Sequence, residues 1–340
     1  MLKSMKPAAF ICALMLSLTL ASTGFAKPQQ IKYLHSSPLT AVETASEGMA
    51  VSAYLGSLTF LMNEHSKLKG KYSLKYVGNV FTSPNDCLTA VATGGGHLTY
   101  TAPPFLEQFN PAWKLLTAPG LFTDFEHFLR AMDTPVWKKQ IKQLSEKQGV
   151  TVVKWMASIG DFYLFTSKGP ITSLDDIKRQ KIRYNGAQGY AAALKDANIT
   201  GIALPYTEVV SSLQTHMING LLSEIFAQDY YDLPRYTKYL VPISWGIVPM
   251  AIVANTKWWD GLPPEERAVF EQSFSLPDAY AYFEALQARQ LEAWDKDPKT
   301  ELVKLPPEEE QKWRDSLSSS TAKFSKSLPP ELMEAIKAAE

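Results

Sequence analysis

The sequence predicts an α/β fold made of two discontinuous domains with a ligand cleft between them. Up to about residue 100, strand and helix patterns alternate in the order β-α-β-α-β, which is typical of a layered α/β domain. The alternation returns after residue 181, and a strand-like run at 249–254 is placed to return to the first domain. The chain would then cross between the domains near residues 160 and 248. Clefts of this kind bind ligands and close by hinge motion.

The elements of the first domain follow from hydrophobic periodicity. Residues 43–67 are predicted to form an amphipathic helix, because their apolar positions recur near every 3.6 residues, and Gly70 ends it. Asn85 is expected to cap a second helix that runs through Val91 and stops at glycines 94–96. The strands of this domain are predicted at 31–35, 72–77 and 98–101.

The rest of the chain is predicted from shorter runs. Helices are expected at 190–195 and 208–217, and a mostly helical stretch covers 265–295, where Pro277 forces a kink or a break. Strand-like runs lie at 150–155, 162–166, 181–184 and near Ile202.

Residues 1–26 have the layout of a signal peptide. Lys3 and Lys6 supply the positive charge, residues 8–20 are apolar, and small residues precede Lys27. The apolar run is shorter than the ~20 residues that a membrane-spanning helix needs. The sequence therefore predicts an exported protein rather than a membrane-anchored one.

The composition of the mature chain excludes several classes of protein. Removal of the two leader lysines leaves 32 basic and 34 acidic residues, a formal charge of −2, which argues against binding to nucleic acid or anionic membranes. Cys87 is the one cysteine left, so no disulfide can form within the chain. The histidines lack metal-binding spacing, no G-x-S-x-G motif is present, and glycines 94–96 match no phosphate loop. We therefore expect no catalytic residue, no metal and no cofactor.

Arg183 is the strongest candidate for ligand binding. It ends a short strand-like run, Lys181-Ile-Arg, and is followed by the turn Tyr184-Asn-Gly. An arginine stays charged, and its planar fork can hold both oxygens of a carboxylate. In an exported chain this suggests capture of an organic anion, although an arginine in such a run is often only an exposed surface charge.

An ordered series of segments resembles the periplasmic solute-binding subunits of TRAP transporters, the DctP type. The series extends over roughly residues 31–335, and its order is more specific than any single segment. The segments are Ala118-Pro-Gly-Leu-Phe-Thr-Asp-Phe-Glu-His, Leu174-Asp-Asp-Ile, Lys181-Ile-Arg, Tyr206-Thr-Glu-Val-Val, Leu213-Gln, Asn219-Gly and Asn255-Thr-Lys-Trp-Trp-Asp-Gly-Leu-Pro.

The resemblance implies a two-domain periplasmic solute-binding protein fold of a type II-like form, in which a long helix near 265–295 braces both lobes. Domain I would comprise residues 27–160 and 248–288, and domain II would comprise residues 161–247 and 289–340. It also implies a periplasmic monomer that binds a small organic acid and delivers it to the membrane subunits of a TRAP permease. No stable membrane insertion and no covalent chemistry are expected.

Other ligand contacts are carried over from the resemblance. Arg183 would bind the carboxylate, and Ser223 aligns with a position where family members commonly place a polar side chain on the ligand. Glu224, which follows it, is interpreted as structural, with recognition of a cation or a metal as the alternative. The remaining candidates are rings that would lie near the ligand, with a core or loop role as the alternative for each: Tyr163, Tyr184, Tyr206 and Trp245 in the second domain, and His35 and Tyr100 in the first.

The sequence departs from the family pattern at three places. Tyr163 stands where several members carry a second ligand-binding arginine, Asn219 replaces the usual aspartate before glycine, and Arg179-Gln180 replaces Gly-Leu. Fewer cations and more rings suggest a monocarboxylate with an apolar or aromatic body.

Two other functions remain open from the sequence. One is an exported enzyme acting on small carboxylates, against which the absence of nucleophile, metal and cofactor motifs argues. The other is a ligand-sensing protein that serves a receptor. Adjacent genes for a permease would favour transport, and a histidine kinase gene would favour sensing.

Overall fold

The computed structural model describes residues 27–36, 46–78, 80–81, 83–156, 160–273 and 279–340. The predicted signal peptide, the start of the helix predicted at 43–67, and Pro277 lie outside these residues. The strands are β1 Gln29–Leu34, β2 Tyr72–Val77, β3 Leu98–Thr101, β4 Val150–Met156, β5 Phe162–Thr166, β6 Lys181–Tyr184, β7 Thr200–Ala203, β8 Gly220–Glu224, β9 Tyr239–Val241, β10 Met250–Asn255 and β11 Glu301–Leu302.

Helices cover both sheets and connect most of the strands. The α-helices are α1 Ser46–Glu64, α2 Pro84–Ala92, α3 Pro103–Leu106, α4 Phe125–Asp133, α5 Pro135–Gln148, α6 Gln188–Asp196, α7 Val209–Gln214, α8 Ala227–Tyr230, α9 Thr256–Asp260, α10 Pro264–Ser273, α11 Ala279–Lys296, α12 Pro307–Ser325 and α13 Pro330–Lys337. Short 3-10 turns lie at Pro111–Thr117, Leu174–Ile177, Tyr206–Glu208 and Leu233–Arg235.

The first sheet has the strand order β2-β1-β3-β10-β4. β1 runs parallel to β2 and β3, whereas β10 runs antiparallel to both of its neighbours. The residues from Met250 to Ala254 are all buried, as expected for an apolar strand in the middle of a covered sheet. The strand-like run at 249–254 therefore does return to the sheet formed by the first part of the chain.

The second sheet has the order β11-β9-β5-β8-β6-β7. β8 lies between β5 and β6, pairing antiparallel with the first and parallel with the second. No strand was predicted there, because Gly220, Ser223 and Glu224 interrupt the apolar run. β8 matters for the site because it brings these two polar residues beside the strand that carries Arg183.

Three predicted helix ends differ from the structure, and the first is that of α1, which ends at Glu64 and not at residue 67. Ser83, not Asn85, caps α2: its Oγ accepts a hydrogen bond from the Asp86 amide at 3.2 Å, and Pro84 takes the first helical position. The helix predicted to reach residue 217 ends at Gln214, and His216 beyond it has a φ of 56°. A left-handed residue cannot continue a right-handed helix.

The helical stretch around 265–295 contacts both sheets. On α10, Glu266 accepts hydrogen bonds from Lys71 and from Tyr72 on β2. On α11, the Trp294 ring lies 5.2 Å from that of Phe165 on β5. The stretch thus connects the two α/β units, as the bracing helix of the predicted fold requires.

The last two helices pack on different units. α12 packs against α6, and Lys323 lies 3.5 Å from Asp196 there. α13 packs against α4 and α5, where the Trp137 indole donates to the Leu332 carbonyl at 3.3 Å. Residues 330–337 therefore contact helices in the range predicted for domain I, although the sequence placed all of 289–340 in domain II.

Candidate ligand-binding cleft

A narrow pocket lies between the two sheets, and residues from both units line it. Tyr100 on β3 lines one side, while Phe162 at the start of β5 and Tyr206 in the turn after β7 line the other. The remaining lining residues are Ala102, Pro104, Phe105, Asn185, Val248 and Met250. Because most of these side chains are apolar or aromatic, the pocket suits the non-polar body of a small ligand.

Arg183 lies fully buried on β6 beneath the ring of Tyr206. Its Nε donates to the Leu204 carbonyl at 2.9 Å, and its Cζ lies 4.4 Å from the centroid of the Tyr206 ring. Among the described residues, its Nη1 and Nη2 atoms have no hydrogen-bond partner. A buried cation with two unsatisfied donors is costly unless an anion pairs with it. A carboxylate has the two oxygens that match this fork.

Glu224 is the site residue that the sequence analysis interpreted as structural. It ends β8, it is fully buried, and its Oε2 accepts from the Ser223 hydroxyl at 3.0 Å and from the Tyr206 hydroxyl at 3.3 Å. Burial raises the pKa of Glu224, while its hydrogen bonds and the charge of Arg183 lower it. We call Arg183, Tyr206, Ser223 and Glu224 the Arg183 cluster. The signal in the sequence that could have identified Glu224 as a site residue is its position inside an otherwise apolar run.

Tyr163 lies beside this cluster but is bound to another carboxyl group. It pairs with Ser223 across β5 and β8, and its hydroxyl donates to Asp161 Oδ2 at 3.4 Å. Burial raises the pKa of Asp161 and, together with Asp161, raises that of Tyr163. Asp161 and Glu224 both act electrostatically on the buried phenol of Tyr190, and the charge of Arg183 acts on Glu224.

His35 and Tyr100 form the aromatic wall of the first unit. Their rings are stacked with centroids 4.8 Å apart, and both side chains are buried. Tyr100 lines the pocket, whereas His35 lies behind it and also stacks on Tyr76 at 5.9 Å. The structure therefore brings Tyr100 to the cleft directly and His35 as its support.

Two predicted site residues are not brought into contact with the Arg183 cluster. Tyr184 lines a separate surface hollow with Lys195 and Gly201, because successive side chains on a strand point to opposite faces and Arg183 faces the cleft. Trp245 is fully buried, and its amide donates to the Phe162 carbonyl at 2.9 Å. The described contacts place its backbone beside the cleft but do not connect its ring to Arg183.

The start of α6 joins the two units across the cleft. Ala187 supplies no side-chain cap, and the first amides of the helix donate to residues of the other unit: Gln188 to Glu107 Oε1 at 3.3 Å and Gly189 to Thr117 Oγ1 at 2.9 Å. Helix amides at this end need such partners. Burial raises the pKa of Glu107 to about 7, against the effect of these hydrogen bonds. The sequence analysis did not identify this contact.

Among the described residues that line the pocket, none is a lysine or an arginine, and Arg183 lies behind Tyr206. Lys154 lies in a groove beside Leu129 on the outer edge of the first sheet, and Lys168 is exposed in a loop. The residues that the structure describes contain no group of three or more His, Cys, Asp or Glu side chains placed to hold a metal. Within the same residues, no helix has the length and apolar character to cross a membrane.

Sequence comparisons find related solute-binding proteins. The model of the DctP family, bacterial extracellular solute-binding protein, family 7, matches residues 45–327. YiiZ, an uncharacterized protein of Salmonella typhimurium, is 28% identical over 210 residues, which cover 61% of this chain and 60% of that protein. The C4-dicarboxylate-binding periplasmic protein DctP of Vibrio cholerae is 24% identical over 314 residues, which cover 91% of this chain and 90% of that protein.

Solved structures share the fold. A TRAP periplasmic solute-binding protein from Shewanella oneidensis with bound succinate has a TM-score of 0.78 at 19% identity, covering 92% of this chain and 99% of that one. The sugar acid binding protein DctPAm of Advenella mimigardefordensis, in complex with galactonate, has a TM-score of 0.77 at 20% identity with the same coverage. These matches confirm the predicted two-domain α/β fold. Because the family model covers most of the chain, the protein belongs to the DctP family of solute-binding proteins, as the ordered motifs predicted.

Proposed function

We propose that this protein captures a small organic acid in the cleft by pairing Arg183 with the acid's carboxylate, and delivers it to the membrane subunits of a TRAP permease. One observation carries the proposal: the guanidinium of Arg183 is fully buried beneath Tyr206 with Nη1 and Nη2 unpaired among the described residues. Lysine at this position would supply charge without the two-pronged geometry. Family membership supports the transport role.

The proposal includes closure of the cleft around the ligand. The chain would cross between domain I, residues 27–160 and 248–288, and domain II, residues 161–247 and 289–340, near 160 and 248. The separate sheets and the contacts of α6 support a hinge between two units. The protein would act as a periplasmic monomer and would release its ligand chemically unchanged.

The walls of the cleft favour a monocarboxylate with an apolar or aromatic body. Relatives are named for C4-dicarboxylates, and the structural matches hold succinate or galactonate. In this chain the second arginine position is Tyr163, whose hydroxyl contacts Asp161. A second ligand carboxylate buried here would lose its hydration without gaining a matching cation.

Arg183→Lys tests the carboxylate pairing. A thermal-shift screen of carboxylic acids first selects the ligand, and calorimetry then measures its affinity for the wild type and the variant. We expect the variant to bind at least about tenfold more weakly, on the order of 1.4 kcal/mol, because the fork is lost. Arg314→Lys, on the exposed face of α12, is the matched control and should bind as the wild type does. Unchanged affinity in a folded Arg183→Lys protein would remove Arg183 from the site.

A further inference from the structure

The charges around Arg183 do not match those of a site built for a simple anion. Arg183 and Glu224 are both fully buried, and the charge of Arg183 acts directly on Glu224, so the cluster already places one carboxyl group beside its one cation. A plain monocarboxylate on Arg183 would add a negative charge close to Glu224. Like charges at short range in a dry site repel strongly, so this arrangement would weaken binding.

The hydrogen bonds of Glu224 orient it as an acceptor. The Ser223 hydroxyl and the Tyr206 hydroxyl both donate to its Oε2. These hydrogen bonds and the charge of Arg183 favour the ionised carboxyl group, whereas burial raises the pKa of Glu224 and favours the protonated one. A positively charged donor placed against Glu224 would favour the ionised form further, so an ammonium group is the ligand group that this carboxyl would bind most strongly.

The side chain of Tyr206 contacts both charged residues of the Arg183 cluster. Its ring face lies over the Arg183 guanidinium, and its hydroxyl contacts Glu224. Arg183 and Glu224 are also carried by neighbouring strands, β6 and β8, which pair in parallel. The cation and the anion are thus carried by adjacent strands and connected through Tyr206.

We propose that the cleft selects organic acids that also carry an ammonium group, with the carboxylate on Arg183 and the ammonium on Glu224. This inference rests on the proposed organic-acid function and specifies the ligand class of the same site. Such a zwitterion has no net charge, so its burial leaves the charge of the Arg183 cluster unchanged. Each ligand charge meets a buried protein charge of opposite sign, which offsets its loss of hydration.

Matched sets of acids that differ in one substituent test the proposal. One set is phenylalanine, 3-phenyllactate and 3-phenylpropanoate, and the other is 4-aminobutanoate, 4-hydroxybutanoate and butanoate. Calorimetry at neutral pH measures their affinities for the wild type and for Glu224→Gln. In at least one set we expect the amine-bearing acid to bind the wild type about tenfold tighter than its two partners, and Glu224→Gln to remove that preference.

Several outcomes would overturn the proposal. Tightest binding of the unsubstituted acids, with a further gain in Glu224→Gln, would show that Glu224 only repels the ligand. Tightest binding of the hydroxy acids would assign the site to a neutral donor, and failure of both amine-bearing acids to bind would also reject it. If Glu224→Gln does not fold, the affinities of the wild type for the three acids of each set still test the proposal. Glu224→Asp, which keeps the charge, should bind more weakly but retain the preference for the amine.

Arg183→Lys separates this proposal from the organic-acid function. If acids of both sets bind and all lose affinity in that variant without any preference for the amine, capture of organic acids stands and the ammonium proposal fails. If Arg183→Lys changes no affinity, the proposed function fails as well.

Discussion

Buried and half-buried acidic residues lie near the cleft, and burial changes their chemistry. Glu224, Asp161 and Glu107 each have a pKa raised by desolvation, and each accepts hydrogen bonds from the cleft region. The acids on the exposed faces of the helices pair with nearby lysines or arginines instead, as Glu310 does with Arg314. The cleft is therefore the part of the described protein where protonation and binding are most closely linked.

Glu107 gives the fold a defined dependence on pH. Its pKa rises from an ordinary 4.5 to about 7 in the folded protein, so between these values the folded state holds a proton that the unfolded chain has lost. The contribution of protonated Glu107 to the stability of the folded protein is full below pH 4.5, and it is lost as the pH rises through about 7.

Glu107→Gln should be more stable than the wild type at pH 8, by about 1–2 kcal/mol after allowance for partial exposure. The difference in stability between the two proteins should become small toward pH 5, because the neutral side chain of the glutamine still offers an oxygen to the backbone amide of Gln188. Urea unfolding of both proteins at pH 5, 6, 7 and 8 measures this difference in the free energy of unfolding. Glu334→Gln, on the exposed side of α13, should change stability by less than about 0.5 kcal/mol. A difference in stability that grows toward acid pH would contradict the predicted direction of the pH dependence.

At the scale of elements, local patterns predicted the strands with clear boundaries. The runs at 72–77, 98–101, 162–166 and 181–184 match β2, β3, β5 and β6 residue for residue. β8 was missed because Gly220, Ser223 and Glu224 interrupt its apolar run, whereas the equally buried β5 is apolar and aromatic over four of its five residues. In the site, Arg183 could be predicted from its motif. The role of Glu224 could not be predicted in this way, because it depends on which strands become neighbours in the sheet. The contact of Glu107 with α6 depends on how the two units meet, and no local pattern encodes that.

The close approach of α6 to the 3-10 turn at Pro111–Thr117 requires a glycine. A Cβ atom on Gly189 would lie 2.4 Å from the backbone of Thr117. We expect Gly189→Ala to lower the free energy of unfolding by about 1–3 kcal/mol and to weaken ligand binding, because the two units can no longer meet here. Urea unfolding and calorimetry measure the two effects.

Gly56 provides the matched control. It lies inside α1, and a Cβ atom there would meet nothing within 4 Å. Gly56→Ala should therefore stabilise the protein by about 0.5–1 kcal/mol through helix propensity alone. If Gly189→Ala were as stable as the wild type, the contact between α6 and Thr117 would not be held in solution.

At the scale of the whole molecule, the described residues form two sheets that the chain visits in turn, joined by α10, α11 and the start of α6. Most ligand contacts proposed here come from the second unit, while Tyr100 and Phe105 come from the first. A ligand that touches both walls favours the closed arrangement by its differential affinity for that state.

Small-angle scattering should show a smaller radius of gyration when the selected acid is added. The reason is that contacts from both units are available only in the closed form. Arg183→Lys at the same ligand concentration, below its weakened dissociation constant, should show little change. An unchanged radius in the liganded wild type would indicate a cleft that does not close, and recovery of a chemically altered acid would favour an enzyme.

The interior position of β10, between β3 and β4, also has a consequence for synthesis and export. β3 and β4 both pair with β10 and not with each other, so the first sheet cannot be completed until Asn255 has been made. A nascent chain that ends earlier carries two open strand edges, and its helices α4 and α5 still lack the covering of α13. Pairing between such distant segments forms slowly. Late completion would suit a polypeptide that crosses a membrane before it folds.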